Sequence, residues 1–311
     1  MAVSRRPILW AGFRSVLCPV DFSEQSRLAL RYAERLALRG KAALDVSYVN
    51  DPLLVAAAAA ALHDRRLAKR SADELRDFVD STLSARTRKA LRVRARVSIG
   101  DPSDEIIKAA AGAHSDLIVM GTHGLTGTDR LLLGSTTLSV LQRTVVPVLA
   151  VPPAVETETE APAPLWPGTR LVAALELDGN PLKDVESAGR IAQWFGASLL
   201  LLHVVDEVSR PAWLRGDLSA HDRIRVAQAQ TRLDTMAARL PSQVKTESRV
   251  VCGNIADEIA ALTATERTGL LITALRDRRG WLGARRGSIS YHVLTRVMAP
   301  VLAYPPQWQP R

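Results

Sequence analysis

The sequence predicts an α/β protein made of two doubly wound parallel-sheet domains in tandem. Three observations predict it. Apolar runs of strand length alternate with amphipathic stretches of helical length along the whole chain, the pattern of a parallel sheet covered on both faces. The first half recurs in the second: Gly100-Asp101-Pro102-Ser103-Asp104-Glu105-Ile106 matches Gly253-Asn254-Ile255-Ala256-Asp257-Glu258-Ile259. The same offset of 153 pairs Gly134-Ser135 with Gly287-Ser288 and Pro147-Val148-Leu149-Ala150 with Pro300-Val301-Leu302-Ala303. Finally, 311 residues suit two domains of about 150 residues each.

The elements follow in order. Ser15 to Val20 reads as a strand, Glu24 to Arg39 as a helix with an apolar stripe, and Ala43 to Val49 as a second strand. The alanine-rich run from Leu53 to Leu62 reads as a helix start, and a long helix is predicted from about Ser71 to Lys89. Val93 to Ile99 is a strand, Ser103 to Ala113 a helix, Leu117 to Met120 a strand, Ser135 to Thr144 a helix and Val146 to Val151 a strand. The second half is expected to repeat this order. Near the domain starts, Val20-Asp21 aligns with Leu177-Asp178 at an offset of 157. The proline- and glutamate-rich stretch around Pro152 to Pro164 lacks apolar periodicity and reads as a linker. The domain limits are therefore 11–152 and 168–306, with 153–167 between them.

In an open parallel sheet the ligand crevice lies beyond the carboxyl ends of the strands. Asp21, Val49, Gly100 and Gly121 all fall at such ends. After Leu117-Ile118-Val119-Met120 come Gly121, Gly124 and Gly134, spaced Gly-x2-Gly-x9-Gly, and Gly134 is followed by Ser135 and Thr136. Glycines let a backbone approach a ribose or phosphate without a Cβ clash. A helix that begins at Gly134-Ser135-Thr136 presents N–H groups to an anion, with hydroxyls as extra donors. A nucleotide is the ligand this pattern favours. Asp21 stays open between two roles: holding ribose hydroxyls or a phosphate-bound divalent ion, and capping the helix that begins near Ser23. His123 lies in the glycine loop, but no Ser or Cys nucleophile and no orienting carboxylate is placed beside it. It is read as exposed or ribose-adjacent, and no catalytic residue is assigned.

Three features together, Pro19-Val20-Asp21-Phe22-Ser23, Gly100-Asp101-Pro102 and Gly121-x2-Gly124-x9-Gly134-Ser135, make the chain resemble the universal stress protein family in its tandem form. The resemblance covers nearly everything outside the N-terminal arm and the linker. It implies Rossmann-like domains of the adenine nucleotide alpha hydrolase type, related by a pseudo-two-fold axis and pairing their last strands. It also implies ATP, with or without Mg2+, as the ligand of the first domain. Pro19, Val20 and Asp21 would border the adenosine and the backbone of Val49 would meet the adenine edge. Met120, Gly121, Thr122, Gly124, Gly134, Ser135 and Thr136 would hold the ribose and phosphates. The expected role is a nucleotide-dependent sensor or regulator in a stress response, as a cytoplasmic protein and in places a homodimer.

The second copy departs from the pattern. At the offset of 153, Gly121 becomes Ala274, Gly124 becomes Asp277 and Thr136 becomes Ile289. A carboxylate placed where phosphates approach repels them, so this half is expected to bind ATP weakly or not at all and to serve structure or partner binding. Arg276, Arg278, Arg279, Arg285 and Arg286 surround it; they read as a solvated loop or as a site for another anion. Trp281 in the same loop reads as a partner anchor or as packing on its own domain.

Bulk properties set the remaining limits. Hydrophobic content of 47% with 23% charged residues is ordinary for a globular protein. No apolar run nears the roughly 18 residues of a bilayer span, and the N-terminus lacks the apolar core of a signal peptide. The two cysteines, Cys18 and Cys252, are read as buried thiols in a reducing compartment. A net charge of +9 raises nucleic acid as a partner, but the arginines are spread out and only 5% of residues are aromatic. That disfavours a stacking platform; a nucleotide-independent scaffold or nucleic-acid binder is kept as the alternative. An adenylyl-transferring enzyme would need a Ser-Gly-Gly-x-Asp-Ser type loop after the first strand, and Pro19 to Ser23 is not one. There is no Gly-x4-Gly-Lys-Ser/Thr either, so slow hydrolysis at most is expected.

Overall fold

The computed structural model describes residues 10–61, 66–122, 133–153, 166–207, 213, 219–275 and 289–310. In the first half β1 (Ser15–Pro19), α1 (Glu24–Gly40), β2 (Ala43–Asn50), α2 (Pro52–Ala61), α3 (Leu67–Thr82), α4 (Ala85–Ala90) and β3 (Val93–Ile99) come first. They are followed by α5 (Pro102–Gly112), β4 (Leu117–Gly121), α6 (Ser135–Arg143) and β5 (Val148–Val151). The second half runs β6 (Arg170–Ala174), α7 (Pro181–Phe195), β7 (Ser198–Asp206), α8 (Ser219–Ala237), β8 (Thr246–Gly253), α9 (Ile255–Thr265), β9 (Leu271–Ala274), α10 (Ile289–Arg296) and β10 (Val301–Tyr304).

The strands form one ten-stranded sheet in the order β3-β2-β1-β4-β5-β10-β9-β6-β7-β8. Within each half all pairings are parallel. The halves meet at one antiparallel pair, with Val148, Leu149 and Ala150 opposite Ala303, Leu302 and Val301. This is the pairing of last strands that the family resemblance implies. Antiparallel pairing of equivalent strands is what a two-fold axis between the halves produces.

Strands buried on both faces need apolar side chains at every position, and β4 and β5 are continuous apolar runs for that reason. One core lies on each face. On one face, α1, α3 and α7 cover Val16, Leu44, Leu117, Leu171 and Leu302; on the other, Leu17, Ile118 and Val148 join Val172, Leu271, Val293 and Val301. Each core draws on both halves. The seam is reinforced by aromatic rings: Trp10 and Phe13 sit 5.4 and 5.7 Å from Trp194 across the halves, and Phe13 stacks on Trp308 at 6.5 Å. Gly12, at φ +84, lies so close to Trp194 that a Cβ there would be 2.2 Å from its Nε1.

Two expectations are corrected. The helix predicted from Ser71 to Lys89 is two helices. Buried Leu83 turns extended at φ −84, ψ 142, and Ser84 caps a new helix through the amide of Thr87. The amide of Ser84 also donates to Glu34 of α1 at 3.0 Å. Cys18 is buried as expected, and burial pushes its thiol well above the ordinary range. Cys252 is exposed, because it lies on the edge strand β8.

Candidate functional site

The carboxyl edge of β1, β2 and β4 carries the residues singled out by sequence. β1 ends at Pro19, paired with Ser47, and Val20 still donates to the Ser47 carbonyl at 2.8 Å. Val49 lies two residues beyond that last pair and is held from the other side by Ser98 of β3. The side chains of Val20 and Met120 are buried in the cores, so only their main chains face the crevice edge.

The Asp21-Phe22-Ser23 turn is a closed network. Ser23 is the N-cap of α1, accepting the Ser26 amide at 3.1 Å. One carboxylate oxygen of Asp21 accepts both the amide (3.1 Å) and the hydroxyl (2.5 Å) of Ser23. The helix cap is therefore Ser23, and Asp21 locks it in place. Phe22 adopts the left-handed conformation at φ 65, unusual for a large side chain. Its ring packs on Tyr48 at 4.4 Å and Phe78 at 5.6 Å. Burial, and then the negative charge of Asp21, push the Tyr48 phenol upward.

Gly100-Asp101-Pro102 is also a cap. Asp101 accepts the Asp104 amide at 3.0 Å and the Ser103 hydroxyl at 2.6 Å, and Pro102 opens α5. The Ser103 hydroxyl, then the Asp104 amide, hold the Asp101 carboxyl below its usual range.

At β4, Gly121 pairs with Val151. The Thr122 amide donates to the Val151 carbonyl at 2.9 Å, and the Gly134 amide donates to the Thr122 carbonyl at 2.8 Å. Thr137 ties α6 back through its hydroxyl to the Gly121 carbonyl at 2.8 Å. The Gly-x2-Gly-x9-Gly segment thus leaves the sheet at Thr122 and returns beside it at Gly134. α6 begins at Gly134 with no side-chain cap, whereas α1 and α5 are capped by Ser23 and Asp101. The amides of Ser135 and Thr136 lie in this first turn, the kind of helix start that favours an anion. Pro19, Val20, Asp21, Val49, Met120, Gly121, Thr122, Gly134, Ser135 and Thr136 all lie on this edge; Gly124 and His123 lie outside the described residues.

The second half is built differently at the same place. Strand register equates Leu17 with Val172, since these pair with the equivalent Ile118 and Leu271. The Leu175 amide bonds the Leu202 carbonyl at 2.8 Å as Val20 bonds Ser47. The strand-end counterpart of Asp21 is therefore Glu176, not the Asp178 chosen by sequence. Helix α7 starts two residues later in compensation, capped by Asn180 after Gly179 at φ 72. Asp178-Gly179-Asn180 keeps the place of Asp21-Phe22-Ser23 relative to the helix cap, while strand register shifts it by two residues. His203 stands where Tyr48 stands and hydrogen-bonds the Leu175 carbonyl through Nδ1 at 2.8 Å. Burial pushes its imidazole below the usual range. Ser47 becomes the buried Leu202. What remains is a cavity of about 80 Å³ lined by Asp184, His203, Thr273, Ala274 and Ser290 among others. Asp277, Gly280, Trp281, Gly287, Ser288 and the arginines between Arg276 and Arg286 lie outside the described residues.

Comparison with known proteins accords with this architecture. The model of the universal stress protein family matches residues 12–152 and again 169–305. A universal stress protein of Mycolicibacterium smegmatis is 26% identical over 305 residues, covering 94% of this chain and 97% of its own. One from Methanocaldococcus jannaschii is 25% identical over 153 residues, 45% of this chain and 94% of its own. The crystal structure of a universal stress protein from Archaeoglobus fulgidus superposes with a TM-score of 0.62 at 20% identity, over 96% of this chain and 98% of its own. Among the described residues no helix is long and apolar enough to cross a membrane. With its fold and both halves matched, this chain belongs to the universal stress protein family.

Proposed function

We propose that the chain is a nucleotide-dependent regulator of a stress response, acting in the cytoplasm, whose first domain (11–152) binds ATP. The second domain (168–306) binds it weakly or not at all and serves structure or partner contact. The uncapped start of α6 supports this most directly. It stands next to β4, where Gly121 and Thr122 carry the main chain past the crevice. Pro19, Val20, Asp21 and the backbone of Val49 border the adenosine. Gly121, Gly124, Gly134, Ser135 and Thr136 hold the ribose and phosphates.

Among the described residues no group of three or more His, Cys, Asp or Glu is placed to hold a metal ion. Mg2+ would arrive on the triphosphate. With no P-loop lysine in the sequence, the site holds ATP rather than turning it over rapidly.

Calorimetric titration of ATP tests the reading. One equivalent per chain is expected, with at least about tenfold weaker binding in Gly134→Ala/Ser135→Ala, as a Cβ is placed where the backbone approaches phosphate and the Ser135 hydroxyl donor is lost. Unchanged affinity in that variant overturns the site, and two equivalents overturn the role given to the second half.

A further inference from the structure

The first half ends at β3, and the outer backbone edge of this strand pairs with no other described strand. The Arg92 carbonyl and the Gly100 amide bond to β2, at 3.0 Å to Leu44 and 3.1 Å to Asn50. By the alternation of a ladder, the N–H and C=O groups of residues 93, 95, 97 and 99 point outward. Such an edge is a template for another strand.

The side chains of β3 add a charge pattern. Arg92, Arg94 and Arg96 fall on one face at every second position. Among the described residues a single carboxylate serves them. Buried Asp45 takes Arg94 through two bonds of 2.6 Å and stands 4.0 Å from Arg96. Arg92 is exposed, as is the side chain of Arg96, at 56%.

The complement lies in this chain's own sequence. Between Pro153 and Pro162 runs Ala154-Val155-Glu156-Thr157-Glu158-Thr159-Glu160-Ala161, proline-free and with glutamates at every second position. Extended, it would carry three carboxylates on one face at the spacing of the three guanidiniums. Because both patterns have period two, the match holds for either strand direction.

The segment cannot reach β3 of its own chain. With strands about 4.8 Å apart, a strand added outside β3 lies about 24 Å from β5, where Val151 is fixed opposite Gly121. Glu156 is only five residues beyond Val151 and reaches at most about 18 Å from it. We infer that residues 154–161 of one copy add to the β3 edge of a second copy, with Glu156, Glu158 and Glu160 over Arg92, Arg94 and Arg96. This mode, strand addition with side-chain selection, makes the association reciprocal between two copies.

Sedimentation velocity of the full-length protein tests it with two charge-reversed variants, Arg92→Glu/Arg96→Glu and Glu156→Lys/Glu158→Lys/Glu160→Lys. The wild type should self-associate at low salt and dissociate as salt rises. Each variant alone should associate about tenfold more weakly, because like charges now face each other. An equimolar mixture of the two should recover the association, since each then offers the other a complementary edge. A wild type that stays monomeric at low salt, variants that match the wild type, or a mixture that fails to recover, overturns the proposal. A labelled peptide of residues 154–161 titrated into wild-type protein keeps the idea testable should a variant misfold. It should bind more tightly than a peptide of the same composition with its glutamates adjacent, and equal binding overturns the register.

Discussion

The amide of Gly134 donates to the carbonyl of Thr122 at 2.8 Å, so the glycine loop enters and leaves the fold at a single point. Its contents can then change with little effect on the sheet beneath. Gly124→Asp, which copies the second half's Asp277, is expected to lower ATP affinity at least about tenfold through repulsion of phosphate. The free energy of urea unfolding should stay within about 0.5 kcal/mol of wild type. Calorimetry and denaturation on the same sample check both; retained affinity would remove the explanation given for the second half.

The anchoring bond is a different matter. Thr137→Val keeps the side-chain shape but leaves the Gly121 carbonyl without the hydroxyl now 2.8 Å away. A loss of about 1 kcal/mol is expected, read as a lower urea midpoint. ATP binding should weaken in parallel, because Gly121 and the start of α6 are no longer tied together.

At the seam, Gly12→Ala meets two obstacles, a left-handed φ of +84 and the Trp194 ring 2.2 Å from the new Cβ. A destabilisation of about 2–4 kcal/mol is expected. A shift of tryptophan emission to longer wavelength should accompany it as Trp10, Trp194 and Trp308 part. A thermal melt followed by fluorescence measures both, and an unshifted melting temperature would contradict the packing.

His203 gives the second half a pH dependence. Burial lowers its folded pKa, so the unfolded chain binds the proton more readily. The folded state is favoured fully above the unfolded value near 6.5 and loses that advantage as pH falls from there toward the lower folded value. His203→Gln should flatten stability between about pH 7 and pH 5, apart from what other groups contribute. Urea midpoints across that range decide it, and an unaltered slope would refute the assignment.

Much of this was legible from sequence because it depends on local chemistry. Strand-length apolar runs, the cap at Ser23 or Asp101 and the internal repeat leave marks that residue types alone reveal. What was missed depends on partners distant in sequence. The break at Leu83 is set by burial in the core and by Glu34. The exposure of Cys252 follows from β8 being an edge strand. The equivalence of Asp21 with Glu176 appears only once strand register replaces motif matching. Phe22 could have been noticed: a large residue between Asp and Ser has its counterpart in Gly179, and both take positive φ. The placement of Pro19, Val49, Gly121 and Gly134 on one edge was readable because strand ends in a doubly wound sheet all point the same way.

The antiparallel pair of β5 and β10 has one more consequence. In an assembly of identical subunits, any substitution appears at both crevices at once, so a change that closed one would close the other. Here the two partners of the pair are encoded separately. Leu202, His203 and Glu176 could replace Ser47, Tyr48 and Asp21 on one side while the other kept its form. Covalent fusion across that pair permits asymmetry to be inherited.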